Sequence, residues 1–286
     1  MAVPEEPTAG GAAWAAPWAL ARSCHPGPAA AVTVLVAVLA GAAGHTVART
    51  ALITAAVLAG QLSVGWCNDA FDARRDLAAG RSDKPVAAGA VRSGAVWTAA
   101  WSALVLCVPL SLACGPLAGA AHLAGVGAAW GYDLRLKSTA WSWLPYALGF
   151  ASLPAFVALA LPGHPWPAWW IVCAGALLGV GAHLGDVLPD IGGDLALGVR
   201  GWPQRLGASA TRRLLPLPLV AATAVLVLGP PGPPGPGGAA ALAGAALLAV
   251  TGSVAGRRRQ GAAFAAAVAV AALDVALLVG RGAAIT

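Results

Sequence analysis

The stretch Gly65-Trp66-Cys67-Asn68-Asp69-Ala70-Phe71-Asp72-Ala73-Arg74-Arg75-Asp76 sets three carboxylates and an amide at the end of a long apolar run. Asp69, Asp72 and Asp76 are three and then four residues apart, so a helix carries them on one face with Asn68 beside them. Such a face repels itself. At an effective dielectric of about 20 and a separation of about 6 Å, each adjacent ionised pair costs roughly 3 kcal/mol, so the cluster needs protons or cations. Asp and Asn oxygens are the hard ligands that Mg²⁺ prefers. A second acidic stretch, Gly185-Asp186-Val187-Leu188-Pro189-Asp190-Ile191-Gly192-Gly193-Asp194, repeats a carboxylate at every fourth residue. The segments starting at Asp72 and Asp190 share D-x-x-x-D-L-A-x-G, a short internal repeat that predicts two equivalent helices facing each other.

The elements that must position these residues are read from composition. The chain has 286 residues, 59% hydrophobic and 10% charged, whereas soluble domains carry about a quarter charged residues. It reads as an all-α membrane protein. Its apolar material falls into about nine segments, near 28–48, 51–67, 95–113, 115–131, 143–161, 168–185, 214–229, 238–255 and 261–280. Most approach the ~20 residues needed to cross a bilayer, and several are rich in the Ala and Gly that let helices pack closely. With the N-terminus cytoplasmic, all of the 17 Lys and Arg except Arg49 and Arg281 fall on the cytoplasmic side. The positive-inside rule therefore sets the orientation and puts both Asp faces at cytoplasmic helix ends.

The net charge of +6 belongs to those loops, near anionic lipid and an anionic substrate. No interleaving of bases and aromatics points to nucleic acid. Five cysteines without a CxxC pair read as small apolar helix residues. Residues 1–21, with no base before Arg22, read as an N-terminal interfacial segment rather than a secretory signal, ahead of one transmembrane domain over 22–286. The loop at 80–89 is too charged for a simple connection and reads as a functional cap. Trp141, Trp143, Trp166, Trp169 and Trp170 are expected as interface anchors. His183, one turn before Asp186, suits either packing or catalysis, and Asp274 in the last segment reads as hydrogen-bonded within the bundle.

The two acidic stretches make this chain resemble the UbiA superfamily of intramembrane prenyltransferases. Asn68, Asp69, Asp72 and Asp76 match that family's N-D-x-x-D-x-x-x-D, and Asp186 to Asp194 fit D-x-x-P-D-x-x-G-D. Lys84-Pro85-x-x-x-Gly89 resembles the family's basic-Pro loop, Tyr132 to Lys137 its Tyr-to-Lys loop, and Gly198 to Gly207 the segment after motif two. The resemblance implies a bundle of nine transmembrane helices with cytoplasmic cap loops. It also implies that Asp69, Asp72, Asp76, Asp186, Asp190 and Asp194 hold Mg²⁺ on the diphosphate of an isoprenyl donor.

Ionising an allylic diphosphate requires stabilised leaving oxygens, for which Asn68, Arg75, Arg81, Lys84, Lys137 and Arg200 are candidates. The allylic cation needs a dry aromatic wall, for which Trp66, Phe71, Trp130 and Tyr132 are candidates. Gly192 and Leu195 to Leu197 depart from the family's charged residues there, and no base stands near Gly185, which leaves the acceptor open. The expected partners are an isoprenyl diphosphate, a lipophilic or aromatic acceptor such as a quinone precursor, and membrane lipid. A terpene cyclase would use the same diphosphate site without an acceptor. A cation or solute transporter would use repeated intramembrane carboxylates as an ion relay.

Overall fold

Runs of Ala, Leu and Val broken by Pro and Gly leave the backbone little choice but short-linked helices. The computed structural model describes residues 17–81, 84–255 and 261–286. In order these form α1 (Pro17–Ser23), α2 (Pro26–Ala42), α3 (Val47–Ala78), α4 (Ser93–Ala113), α5 (Pro116–Leu134) and α6 (Trp143–Leu159). Then come α7 (Trp169–Val187), α8 (Ile191–Ala196), α9 (Trp202–Leu206), α10 (Ala208–Leu214), α11 (Pro216–Leu228), α12 (Pro236–Ala255) and α13 (Ala262–Gly280). Pro opens α2, α5 and α11, where its missing N–H costs no helical bond. Thr46 caps α3 by accepting from the Arg49 amide at 3.3 Å.

Among the described residues every expected apolar segment is helical, and six spans are long and apolar enough to cross a membrane. These are α3, α4, α7, the α10–α11 pair (Ala208–Leu228), α12 and α13; α1 and α2, bent by 64°, make a seventh if taken together. The protein is thus an all-helical, multi-pass membrane protein. The expected boundaries shift in two places. The second segment does not stop at residue 67 but continues to Ala78, so the first acidic face rides on the spanning helix itself. The seventh begins at Ala208 and breaks at Leu215, ahead of Pro216. The interfacial segment expected over 1–21 lies outside the described residues, except for the part of it in α1.

Each helix packs mainly on its sequence neighbours, while α7 also meets α11, and α13 closes on α2 and α11. At the end away from the acidic residues, Arg49 donates to the carbonyls of Ala113 (3.3 Å), Cys114 (2.5 Å) and Ala160 (3.4 Å). It therefore satisfies the orphan carbonyls that end α4 and α6, a sufficient reason for one base on that side. Asp274 is fully buried in α13 and accepts from the Thr223 hydroxyl of α11 at 2.6 Å, as the reading of a bundle hydrogen bond anticipated.

Candidate active site

The last turns of α3 bury Asp69 at 1% exposure, together with Asp72 and Asp76. Buried carboxylates are stable only when paired. Lys84 reaches Asp69 Oδ1 with its Nζ at 3.2 Å. The loop carrying it turns back through Ala88 N to Lys84 O (2.9 Å) and Ala90 N to Pro85 O (3.0 Å). Asp72 is gripped from two sides, by Arg75 at 2.6 Å on Oδ2 and by Lys137 on Oδ1. Lys137 comes from the single 3₁₀ turn Leu136–Ser138 that follows α5. Three expected diphosphate-binding bases therefore already sit on motif-one carboxylates.

The elbow between α1 and α2 closes over the same face. A Cβ added to Gly65 would stand 2.1 Å from the Cys24 carbonyl oxygen, so only glycine lets the elbow lie this close to α3. Trp66 pins the contact by donating Nε1–H to Leu20 O at 2.8 Å. This places Trp66 against α1, where it holds the elbow instead of lining a prenyl wall as expected. The elbow delivers His25, whose Nε2 lies 3.2 Å from Lys84 Nζ and 4.0 Å from Asp69 Oδ1. Burial, helped by the Lys84 charge, lowers the His25 pKa. The neutral ring thus accepts from Lys84 through Nε2. A cavity of about 320 Å³ opens here, lined by Arg22, His25, Asp69, Arg81, Lys84 and neighbouring prolines. Sequence reasoning took Arg22 only as an orientation signal and missed His25, because their approach to Asp69 exists only through the elbow.

The second motif corrects an expectation. It does not lie on one helix equivalent to α3: Asp186 ends α7, Asp190 is the N-cap residue of α8, and Asp194 sits on α8. Pro189, with no N–H to continue the ladder, and the pair Gly192-Gly193 account for the break. Asp186 Oδ2 accepts from the Tyr146 hydroxyl at 2.6 Å, and Asp194 Oδ2 from Gln204 Nε2 at 2.7 Å. Burial raises the Asp194 pKa, opposed by the Gln204 bond and by the charge of Arg75, while Asp190 and Asp72 add to the rise. Asp194 therefore lies within electrostatic reach of Arg75 and Asp72 on α3. Tyr132 lies within reach of Asp72, Asp133, Asp186 and Asp194 at once, so the two motifs converge around it.

Around Tyr132 stand Tyr146, edge-on at 5.1 Å between centroids, and His183 at 5.7 Å. Ser142 Oγ accepts from Trp202 N at 2.9 Å and stands 3.0 Å from His183 Nε2. This pair of bonds ties α7 to the starts of α6 and α9. A Cβ on Gly201 would meet the Lys137 carbonyl oxygen at 2.5 Å, so the loop after α8 rests directly on the lysine turn. Tyr146 and Gln204 carried no signal in the sequence: one lies within an apolar segment and the other is an isolated amide.

Other expected residues are placed differently. Trp130 donates to Ser63 Oγ at 3.2 Å and packs on Trp101 (4.8 Å) and Trp97 (6.4 Å), inside the α3–α4–α5 contact. Phe71 is 44% exposed, lies 5.1 Å below the Lys137 ammonium and faces a separate cavity of about 810 Å³ beside Arg74, Arg92 and Trp97. Arg200 is exposed, and its carbonyl accepts from Arg205 Nε at 2.8 Å.

Among the described residues, no three His, Cys, Asp or Glu side chains gather closely enough to enclose a metal ion. Asp69 Oδ2 is nonetheless buried with no hydrogen-bond partner, and Asp69 is among the residues that line the basic cavity. Mg²⁺ commonly takes one or two carboxylates plus substrate phosphates and water, so an unpartnered carboxylate oxygen on a residue lining a basic cavity fits it.

Helices that gather two acidic motifs and loop-borne bases at one end define a multi-pass membrane protein with a polar site. A model of the UbiA prenyltransferase family matches residues 30–269. The chain belongs to that family. It is 32% identical over 173 residues to the bacteriochlorophyll synthase 33 kDa chain of Cereibacter sphaeroides, a match spanning 55% of this chain and 55% of that relative. A UbiA homolog from Archaeoglobus fulgidus superposes with TM-score 0.69 at 15% identity, over 93% of this chain and 98% of that one. The same homolog bound to GPP and Mg²⁺ gives 0.67 at 14%, over 92% and 99%. A UbiA homolog from Aeropyrum pernix K1 gives 0.64 at 19%, over 86% and 96%. At these identities the structures establish the fold.

Proposed function

We propose that this chain ionises an isoprenyl diphosphate with Mg²⁺ and transfers the prenyl group to a lipophilic acceptor of the aromatic or quinone-precursor kind. The observation that carries this reading is the cavity in which Arg22, His25, Arg81 and Lys84 surround the buried Asp69. That the Archaeoglobus homolog was solved with GPP or DMAPP and Mg²⁺ supports the donor class and the metal. Asp69, Asp72 and Asp76 would hold metal from one side and Asp186, Asp190 and Asp194 from the other. Bound there, Mg²⁺ supplies charge stabilisation to the departing diphosphate oxygens.

Arg22, Arg81 and Lys84 bind the diphosphate directly. Lys137 and Arg75 hold Asp72 in place. Tyr132 and Tyr146 present ring faces and edges beside the second motif, where an allylic cation would develop. The reading includes nine spans, an interfacial segment over residues 1–21 and a cytoplasmic site. Gathering the carboxylates at one end of the bundle, under bases, favours an enzyme over an ion relay across the midplane.

The test is release of inorganic diphosphate from geranyl diphosphate by the purified protein, with products followed by mass spectrometry. Release that requires Mg²⁺ and yields a prenylated acceptor supports transfer. A cyclic hydrocarbon formed from donor alone would reassign the site to cyclisation, and absence of release with every allylic donor would contradict the reading.

A further inference from the structure

Asp133 closes α5 just before the lysine turn, buried at 3% exposure, and nothing in the transfer above uses it. Its Oδ1 accepts from Asn68 Nδ2 at 2.9 Å, whereas its Oδ2 is buried with no hydrogen-bond partner. A carboxylate oxygen that accepts from the amide fixes which end of Asn68 faces it. The NH₂ group points at Asp133. The amide oxygen is left facing away from Asp133, and the Asn68 side chain lies within electrostatic reach of His25, which Lys84 and Asp69 adjoin. An amide free to turn offers a cation its NH₂ as readily as its oxygen, and only the oxygen is a ligand for a hard metal.

We infer that Asp133 is a positioning residue, orienting Asn68 so that its amide oxygen is presented to the metal-bound diphosphate beside Asp69. The inference rests on the diphosphate reading above and adds to it a residue on a different helix. It also explains why a carboxylate that touches none of the bases directly is kept at the meeting point of both acidic motifs. Groups that orient a ligand in this way commonly change metal affinity by about ten- to a hundredfold when removed.

The test is calorimetric binding of geranyl diphosphate to the purified full-length chain as Mg²⁺ is varied, with thermal unfolding run on each variant. Asp133→Asn puts there an amide that donates as well as accepts and no longer fixes the Asn68 amide, so it is expected to need more Mg²⁺ than the wild type. Asp133→Leu removes the acceptor oxygen and is expected to need at least about tenfold more than the wild type. Asn68→Ala should match that loss, and Asp133→Leu added to it should change binding less than about twofold, because both act at one group. If Asp133→Leu binds geranyl diphosphate at the wild-type Mg²⁺ concentration, Asp133 does not orient the ligand and the inference fails. Full additivity in the double variant would overturn it equally. A wild-type chain that binds no geranyl diphosphate with Mg²⁺ would instead overturn the donor reading on which the inference stands.

Discussion

Asp72 shows how a charge cluster that repels itself becomes stable: two cations from different elements share its two oxygens. Asp72→Ala would leave the Lys137 ammonium buried without a counter-charge, a loss of about 3–5 kcal/mol. The expected result is a clear fall in the thermal unfolding midpoint in detergent, alongside loss of activity; an unchanged midpoint would mean that the pair is not formed. Tyr146→Phe keeps the ring and removes the bond to Asp186. Because hydrogen bonds to charged groups are worth about 1.5–3 kcal/mol, donor binding with Mg²⁺ should weaken by about ten- to a hundredfold with little change in stability. Trp130→Phe should do the reverse, costing about 1 kcal/mol through the lost Ser63 bond while turnover persists.

At this scale the sequence was most legible where spacing and residue type agreed. Lys84 meets Asp69, Lys137 meets Asp72, and Tyr132 lies within reach of Asp72, Asp186 and Asp194. Trp66, Phe71 and Trp130 do not form one wall, because depth along a helix does not say which way an indole or a phenyl ring turns.

At the scale of elements, the period of motif one correctly predicted a helix face, since α3 runs unbroken through it. The same pattern misled for motif two, where Pro189 and two glycines outweigh the repeat and the chain turns into a separate short helix. Nor could the pattern show the elbow, whose 64° bend carries Arg22 and His25 over Asp69. That elbow depends on Gly65. Gly65→Ala would force α1 and α2 off α3, because backbone rather than a flexible side chain stands 2.1 Å from the added carbon. The donor KM is expected to rise by about tenfold, the effect of about 1.4 kcal/mol of lost binding. Turnover at saturating donor should fall less, and an unchanged KM would show that the elbow plays no part in binding.

For the whole molecule, composition alone marks a membrane protein, and the charge asymmetry is what proposes its orientation. Arg49 breaks the charge asymmetry because it caps two helices at the far end. The proposed orientation predicts that a cysteine replacing Gly89 reacts with a membrane-impermeant thiol reagent from the cytoplasmic side. One replacing Gly163 should react only from the other side, and the opposite labelling would invert the topology. How the two acidic motifs meet around Tyr132 was legible only as a requirement of the chemistry, since helix packing, and not spacing, brings α3, α5 and α7 together.

The most direct measurement of the central claim is calorimetric titration of geranyl diphosphate into the purified chain, with and without Mg²⁺, for the wild type, Asp69→Asn and Asp190→Asn. Binding is expected only with Mg²⁺ in the wild type and at least about tenfold weaker in each variant, as for the loss of groups that hold or orient a metal. Binding that is equally tight without Mg²⁺, or unaltered in both variants, would contradict a site in which two acidic motifs jointly hold a metal-bound diphosphate.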